Sequence, residues 1–126
     1  MAMKSVLIVE DETDLIELYT TLLVRKGYLV EKAGDGLQAL TFLAQRTFDL
    51  VLLDIMLPEL DGLQVLQKLA EDRTAYPQPF EQIMMLTNLA QDKVVEQAIG
   101  FGVRGYLVKS DYDPQQFLDA IEGAFS

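Results

Sequence analysis

Four apolar runs in this sequence each stop at residues able to do polar chemistry. Val6-Leu7-Ile8-Val9 runs into Glu10-Asp11, Leu50-Val51-Leu52-Leu53 into Asp54, Ile83-Met84-Met85-Leu86 into Thr87, and Tyr106-Leu107-Val108 into Lys109. Short runs of this composition read as buried strands. Groups at the carboxyl ends of parallel strands meet in the crevice where open α/β sheets bind ligands. The expected site therefore holds three acids, a hydroxyl and an amine. Three carboxylates in one crevice repel: at about 4 Å and an effective dielectric near 20, each pair costs roughly 4 kcal/mol. Without a counterion one acid would keep its proton. A hard divalent cation resolves the conflict, and an all-oxygen donor set selects Mg2+, Mn2+ or Ca2+. Mg2+ is favoured because it keeps several waters and is commonly held by one or two carboxylates together with a phosphate. Asp54 is suited to nucleophilic attack on a phosphoryl group, giving an aspartyl phosphate. Lys109 and Thr87 then supply positive charge and a donor for the phosphoryl oxygens.

The elements that must position these groups alternate strand and helix five times. Leu15, Leu18, Tyr19, Leu22 and Leu23 recur at helical spacing up to Arg25-Lys26-Gly27, where basic residues and a glycine stop the helix. Residues 28–33 read as a short second strand, and Asp35 caps a helix carrying Ala39, Leu40 and Leu43. The turn Leu57-Pro58-Glu59-Leu60-Asp61-Gly62 precedes a third helix marked by Val65, Leu66 and Leu69. Residues 75–80, with two of the four prolines, read as a surface loop. Ala90, Val94, Ala98 and Ile99 mark a fourth helix ended by Gly100 and Gly102. Asp113-Pro114 opens a fifth, with Phe117, Leu118, Ile121 and Phe125. Such alternation predicts an α/β fold: a doubly wound, five-stranded parallel sheet in the flavodoxin-like order 2-1-3-4-5, with five helices on its two faces. Strands one and three are neighbours in that order, which brings Asp11 beside Asp54.

Composition narrows the chemistry. The 126 residues suit one domain, expected to fill 1–126 with no second domain. There is no cysteine, which excludes disulfides and thiolate metal sites, and no histidine, which excludes a His base, ligand or phosphocarrier. A net charge of −10, from 20 acidic and 10 basic residues, disfavours direct contact with nucleic acid. The apolar runs are far shorter than the roughly 20 residues that span a bilayer. Residues 1–4 lack a signal-peptide layout, so a soluble cytoplasmic protein is expected.

Taken together, the stretches Val6 to Glu12, Asp54 to Gly62, Leu86-Thr87 and Tyr106 to Lys109 resemble the receiver domain of two-component response regulators over nearly the whole chain. The resemblance implies that Asp54 accepts a phosphoryl group from a sensor histidine kinase or a histidine phosphotransfer protein. It implies that Glu10, Asp11 and Asp54 hold Mg2+ with the backbone carbonyl of Met56, Glu10 acting largely through a metal-bound water. Lys109 would contact the phosphoryl group, Thr87 would move toward it, and Tyr106 would turn inward as the switch. The fourth helix, fifth strand and fifth helix would be read by a downstream effector. A homodimer formed on phosphorylation through the fourth and fifth helices is left open. Such a domain catalyses only its own phosphorylation and dephosphorylation. Two positions depart from the family pattern: Ser110 stands where proline usually follows the lysine, and Asn88 where a small residue usually follows the threonine. Lys109-Ser110 is therefore expected to be trans, in a looser loop.

Two other functions compete. A small phosphatase forming an aspartyl phosphate would want a general acid two positions after its nucleophile, where this chain has Met56. A flavin-binding or purely structural module on the same fold would want a Ser/Thr/Gly-rich phosphate loop after the first strand, where this chain has Glu10-Asp11-Glu12.

Overall fold

The fold was analysed in a computed structural model, which describes residues 3–88 and 92–125. The strands are β1 (Ser5–Val9), β2 (Leu29–Ala33), β3 (Leu50–Asp54), β4 (Ile83–Thr87) and β5 (Gly105–Val108). They alternate with helices α1 (Thr13–Arg25), α2 (Gly36–Gln45), α3 (Gly62–Glu71), α4 (Asp92–Gly100) and α5 (Pro114–Ala124). All strands are parallel, in the order β2-β1-β3-β4-β5, which is the expected doubly wound topology. Ala90, expected in the fourth helix, lies outside the described residues.

The sheet divides the apolar residues by parity, because successive side chains of a strand point to opposite faces. Leu7, Val9, Val51, Leu53, Ile83 and Met85 face α2, α3 and α4 in one core. Val6, Ile8, Leu50, Leu52, Met84 and Leu86 face α1 and α5 in the other, where Tyr19 stacks on Phe117 at 4.1 Å. β1, β3 and β4 are buried throughout. Each fully buried Leu, Ile or Val contributes roughly 1.5–3 kcal/mol, so these three strands anchor the sheet. The edge strand β2 has the same five-residue length but is largely exposed, with Val30 half-buried and Ala33 buried, which is why its sequence is more polar.

Acidic caps start three helices. Asp35, Asp61 and Asp113 each accept a hydrogen bond from the backbone N–H three residues on. For Asp61 and Asp113 the Gln at that position returns a bond, completing a capping box. α1 differs: its cap residue is Glu12, whose side chain makes no capping bond.

Smaller corrections concern boundaries. Tyr28 precedes the second strand, and Phe125 follows the last helical residue. The proline-containing connection closes with a 3-10 turn, Phe80–Gln82, and is held from within. Gln78 is fully buried; its side chain accepts from the Phe48 N–H at 2.7 Å and donates to the Phe48 carbonyl at 3.0 Å. Arg73 donates to the carbonyls of Tyr76 and Gln78 and lies over the Phe80 ring at 4.5 Å. The connection is thus a pinned structure rather than a plain surface loop.

Candidate functional site

Strand register assembles the site. Val9 lies opposite Leu53, so the residues that follow, Glu10 and Asp54, are the next pair along β1 and β3. Asp54 pairs with Leu86, and Thr87 with Val108. Thr87 and Lys109 therefore each stand one step beyond their neighbours at the same sheet edge. The stagger is a consequence of the buried apolar faces, because a one-residue slip would turn every core side chain outward.

Asp54 and Glu10 are buried, while Asp11 is exposed at the rim. Lys109, with its side chain almost fully buried, lies between the two buried acids: Nζ is 2.7 Å from Asp54 Oδ2 and 2.5 Å from Glu10 Oε2. The first contact has hydrogen-bond geometry. The second is an ion pair without hydrogen-bond geometry, and Glu10 Oε2 accepts no hydrogen bond among the described residues. Backbone donors hold the remaining oxygens, since the Met56 N–H donates to Asp54 Oδ1 at 3.0 Å and the Glu12 N–H to Glu10 Oε1 at 3.2 Å.

Burial pushes the Glu10 carboxyl up to about 7; the adjacent Lys109 ammonium opposes this, and the nearby Asp54 charge adds to it. Burial works to lower the Lys109 ammonium, but its close contacts with the Asp54 and Glu10 carboxylates outweigh that and raise it. The repulsion expected from the sequence is therefore present, but Lys109 outweighs it, and what keeps the Glu10 carboxyl raised is burial.

The same acids fit a hard cation. Glu10, Asp11 and Asp54 each offer one oxygen, and these atoms lie within 4.8 Å of one another. Glu10 Oε2, buried and short of a hydrogen bond, has an acceptor site to spare. An all-carboxylate set of this kind suits Mg2+, and no His or Cys is available to favour a softer metal. Met56 turns its side chain out, 67% exposed, at the mouth of the site.

Thr87 is buried at the end of β4, and Tyr106 of β5 is 41% exposed, turned out rather than in. Ser110 and Asn88 are both exposed. No cis peptide bond occurs among the described residues, so Lys109-Ser110 is trans as expected. The segment is not loose, however: Lys109–Asp111 forms a 3-10 turn directly after β5.

The floor of the site rests on a glycine that sequence reasoning treated only as part of a turn. A Cβ on Gly62 would lie 2.4 Å from the Asp54 carbonyl oxygen, and the Gly62 N–H donates to the Ile55 carbonyl at 2.9 Å. The start of α3 thus packs directly against the end of β3. The breaker-rich turn ending in Gly62 was the available signal. No comparable signal marks Gln78, whose partner is distant in sequence.

Comparison with known proteins agrees with this geometry. The family model described as response regulator receiver domain matches residues 6–122. Among curated proteins, the alkaline phosphatase synthesis transcriptional regulatory protein PhoP of Bacillus subtilis is 36% identical over 108 residues, covering 84% of this chain and 42% of that protein. The chain spans less than half the length of the curated relatives it matches first. Among solved structures, a CheY-like receiver domain protein from Methanospirillum hungatei has a TM-score of 0.84 and 27% identity, covering 97% of this chain and 93% of that one. The chemotaxis protein CheY4 of Vibrio cholerae also has a TM-score of 0.84, with 28% identity over 98% of this chain and 99% of its own.

Proposed function

This chain belongs to the receiver domain family of two-component response regulators, and on that premise we propose that it is a phosphorylation-operated switch whose acceptor is Asp54. The observation that carries the reading is the placement of Asp54: a buried carboxylate at a strand end, hydrogen-bonded to Lys109 and grouped with Glu10 and Asp11. One carboxylate oxygen attacks phosphorus and the donor's bond to phosphorus breaks, leaving an acyl phosphate on Asp54. The Met56 N–H orients the nucleophile through its other oxygen. Lys109 faces the transferred phosphoryl group, and the Thr87 hydroxyl donates to it.

Glu10, Asp11 and Asp54 would hold Mg2+ together with the Met56 carbonyl, and the ion would supply the positive charge that three acids and an incoming phosphoryl group require. The donor is a phosphohistidine on a sensor kinase or phosphotransfer protein. Modification draws Thr87 toward the phosphoryl group and lets Tyr106 turn inward, so that α4, β5 and α5 present a changed surface to an effector. This action is placed in the cytoplasm; among the described residues no helix is long and apolar enough to cross a membrane. The chain's only catalysis would be its own phosphorylation and dephosphorylation.

The test is acetyl phosphate with Mg2+, read by intact mass. One added phosphoryl group is expected in the wild type and none in Asp54→Asn. An unchanged wild-type mass would count decisively against the proposal.

A further inference from the structure

Beside the acceptor crevice lies a cavity of about 240 Å3 between the start of α1 and the β5–α5 connection. Its apolar wall is formed by Leu15, Leu18, Tyr19, Tyr112, Pro114 and Phe117. Its polar rim is Asn88, Lys109, Ser110 and Asp113. Two of these rim residues tie the cavity to the acceptor site. Lys109 is the residue bonded to Asp54, and Asn88 directly follows Thr87. The Asp113 carboxylate would repel an anion, but one of its oxygens is engaged by the Gln116 N–H at 2.8 Å as the cap of α5.

Displacement at phosphorus puts the leaving group on the far side of the phosphoryl from Asp54. A small donor therefore needs room beyond the phosphoryl oxygens for whatever departs. The cavity adjoins the acceptor site through Lys109 and Asn88 and would offer that room, with two neutral polar residues, Asn88 and Ser110, at its rim and hydrocarbon behind them. An acyl phosphate has the matching layout: a carboxylate leaving group, then an alkyl chain.

We propose that this cavity is a leaving-group subsite for low-molecular-weight acyl phosphates, and that it prefers those with a longer alkyl chain over acetyl phosphate. The proposal rests on Asp54 being the phosphoryl acceptor. In the step, an Asp54 carboxylate oxygen bonds to phosphorus and the phosphorus–oxygen bond to the acyl group breaks. The bonding pair leaves on the acyl oxygen, so the product is a carboxylate anion and no proton has to be supplied. Asn88 and Ser110 face that anion while Lys109 stays with the phosphoryl group, and Leu15, Leu18 and Phe117 cover its chain.

The experiment compares initial rates of phosphorylation of the full chain with Mg2+ and subsaturating phosphoramidate, acetyl, propionyl and butyryl phosphate. The three acyl phosphates have leaving groups of nearly equal basicity, so a rate difference among them reports binding of the chain. A fully buried methylene is expected to raise the rate about fourfold, and one in a partly open cavity about twofold. Leu18 is 41% exposed, so Leu18→Asn leaves the core intact, and it should bring the butyryl-to-acetyl ratio down toward one. Butyrate should also slow phosphorylation by phosphoramidate at lower concentration than acetate does. Equal rates for the three acyl phosphates, or a preference that survives Leu18→Asn, would overturn the subsite while leaving Asp54 as acceptor. No phosphorylation from any donor would overturn the acceptor and the subsite together.

Discussion

Glu10→Gln should stabilise the protein at alkaline pH in the presence of a chelator, although it removes half of an ion pair. Burial holds the Glu10 carboxyl at about 7 against its ordinary 4.5, despite the adjacent Lys109. A carboxyl raised in the folded state holds a proton that the unfolded chain releases more readily. The stability this contributes is complete below about pH 4.5 and is lost as pH rises through about 7. At 1.36 kcal/mol per pH unit, the gap corresponds to about 3 kcal/mol, and water in the open crevice brings this nearer 2. Glutamine mimics the protonated acid and never incurs that loss.

Urea denaturation of both proteins in EDTA, at intervals from pH 4.5 to 8, measures the difference directly. The variant should gain about 2–3 kcal/mol at pH 8 and less than about 0.5 kcal/mol at pH 4.5. Groups common to both proteins cancel in the comparison. Added Mg2+ should then stabilise the wild type more than the variant, by mass action on the intact carboxylate set. A difference that does not change with pH, or a variant weaker at pH 8, would refute the reasoning. It would mean that Lys109 fully compensates Glu10 and that the buried pair is net stabilising.

Lys109→Met leaves Glu10 and Asp54 without their ammonium; it should cost about 3–5 kcal/mol at pH 8, less at pH 5, as read by urea denaturation, and slow phosphorylation by acetyl phosphate. Gln78→Ala leaves the buried Phe48 N–H and carbonyl without this partner, each worth about 1–3 kcal/mol, so a loss of roughly 2–6 kcal/mol is expected in the same assay. Gly62→Ala drives a methyl group into the Asp54 carbonyl, so a loss of about 1–3 kcal/mol should accompany slower phosphorylation, because the strand end carrying the nucleophile must shift. Glu59, with φ of 65°, occupies the left-handed region that glycine tolerates best, and Glu59→Gly should raise the melting temperature slightly.

The parts of this molecule legible in its sequence are those governed by local pattern. β1, β3 and β4 are apolar at every core position and end in polar residues, so both the strands and the polar groups at their termini could be located. The caps at Asp35, Asp61 and Asp113 obey a spacing of three residues and are equally local. Long-range polar pairing is not written this way. Gln78 sits between two prolines, and nothing beside it says that its amide serves Phe48 across 30 positions. The role of Lys109 is the instructive intermediate case. Its position at a strand end was legible and pointed to the phosphoryl group. That its ammonium also lies between Glu10 and Asp54 depends on side-chain reach, which a one-dimensional pattern does not carry.

That second role changes how the site must work. Both oxygens of the proposed nucleophile are engaged, Oδ1 by the Met56 N–H and Oδ2 by Lys109. An oxygen held in a charge-assisted bond is a poorer nucleophile than a free one, so Lys109 has to let go of Oδ2 before that oxygen can attack. Its release would expose two buried carboxylates to each other, at a cost of several kcal/mol if nothing replaced the ammonium. The exchange is inexpensive only if another cation neutralises the acids as Lys109 turns to the phosphoryl oxygens. Glu10, Asp11 and Asp54 would hold a divalent cation that supplies this charge, and Lys109 would then be free to turn to the phosphoryl oxygens. The 3-10 turn at Lys109–Asp111 matters here, because it fixes the backbone from which the side chain must swing and leaves the movement to its four-carbon stem.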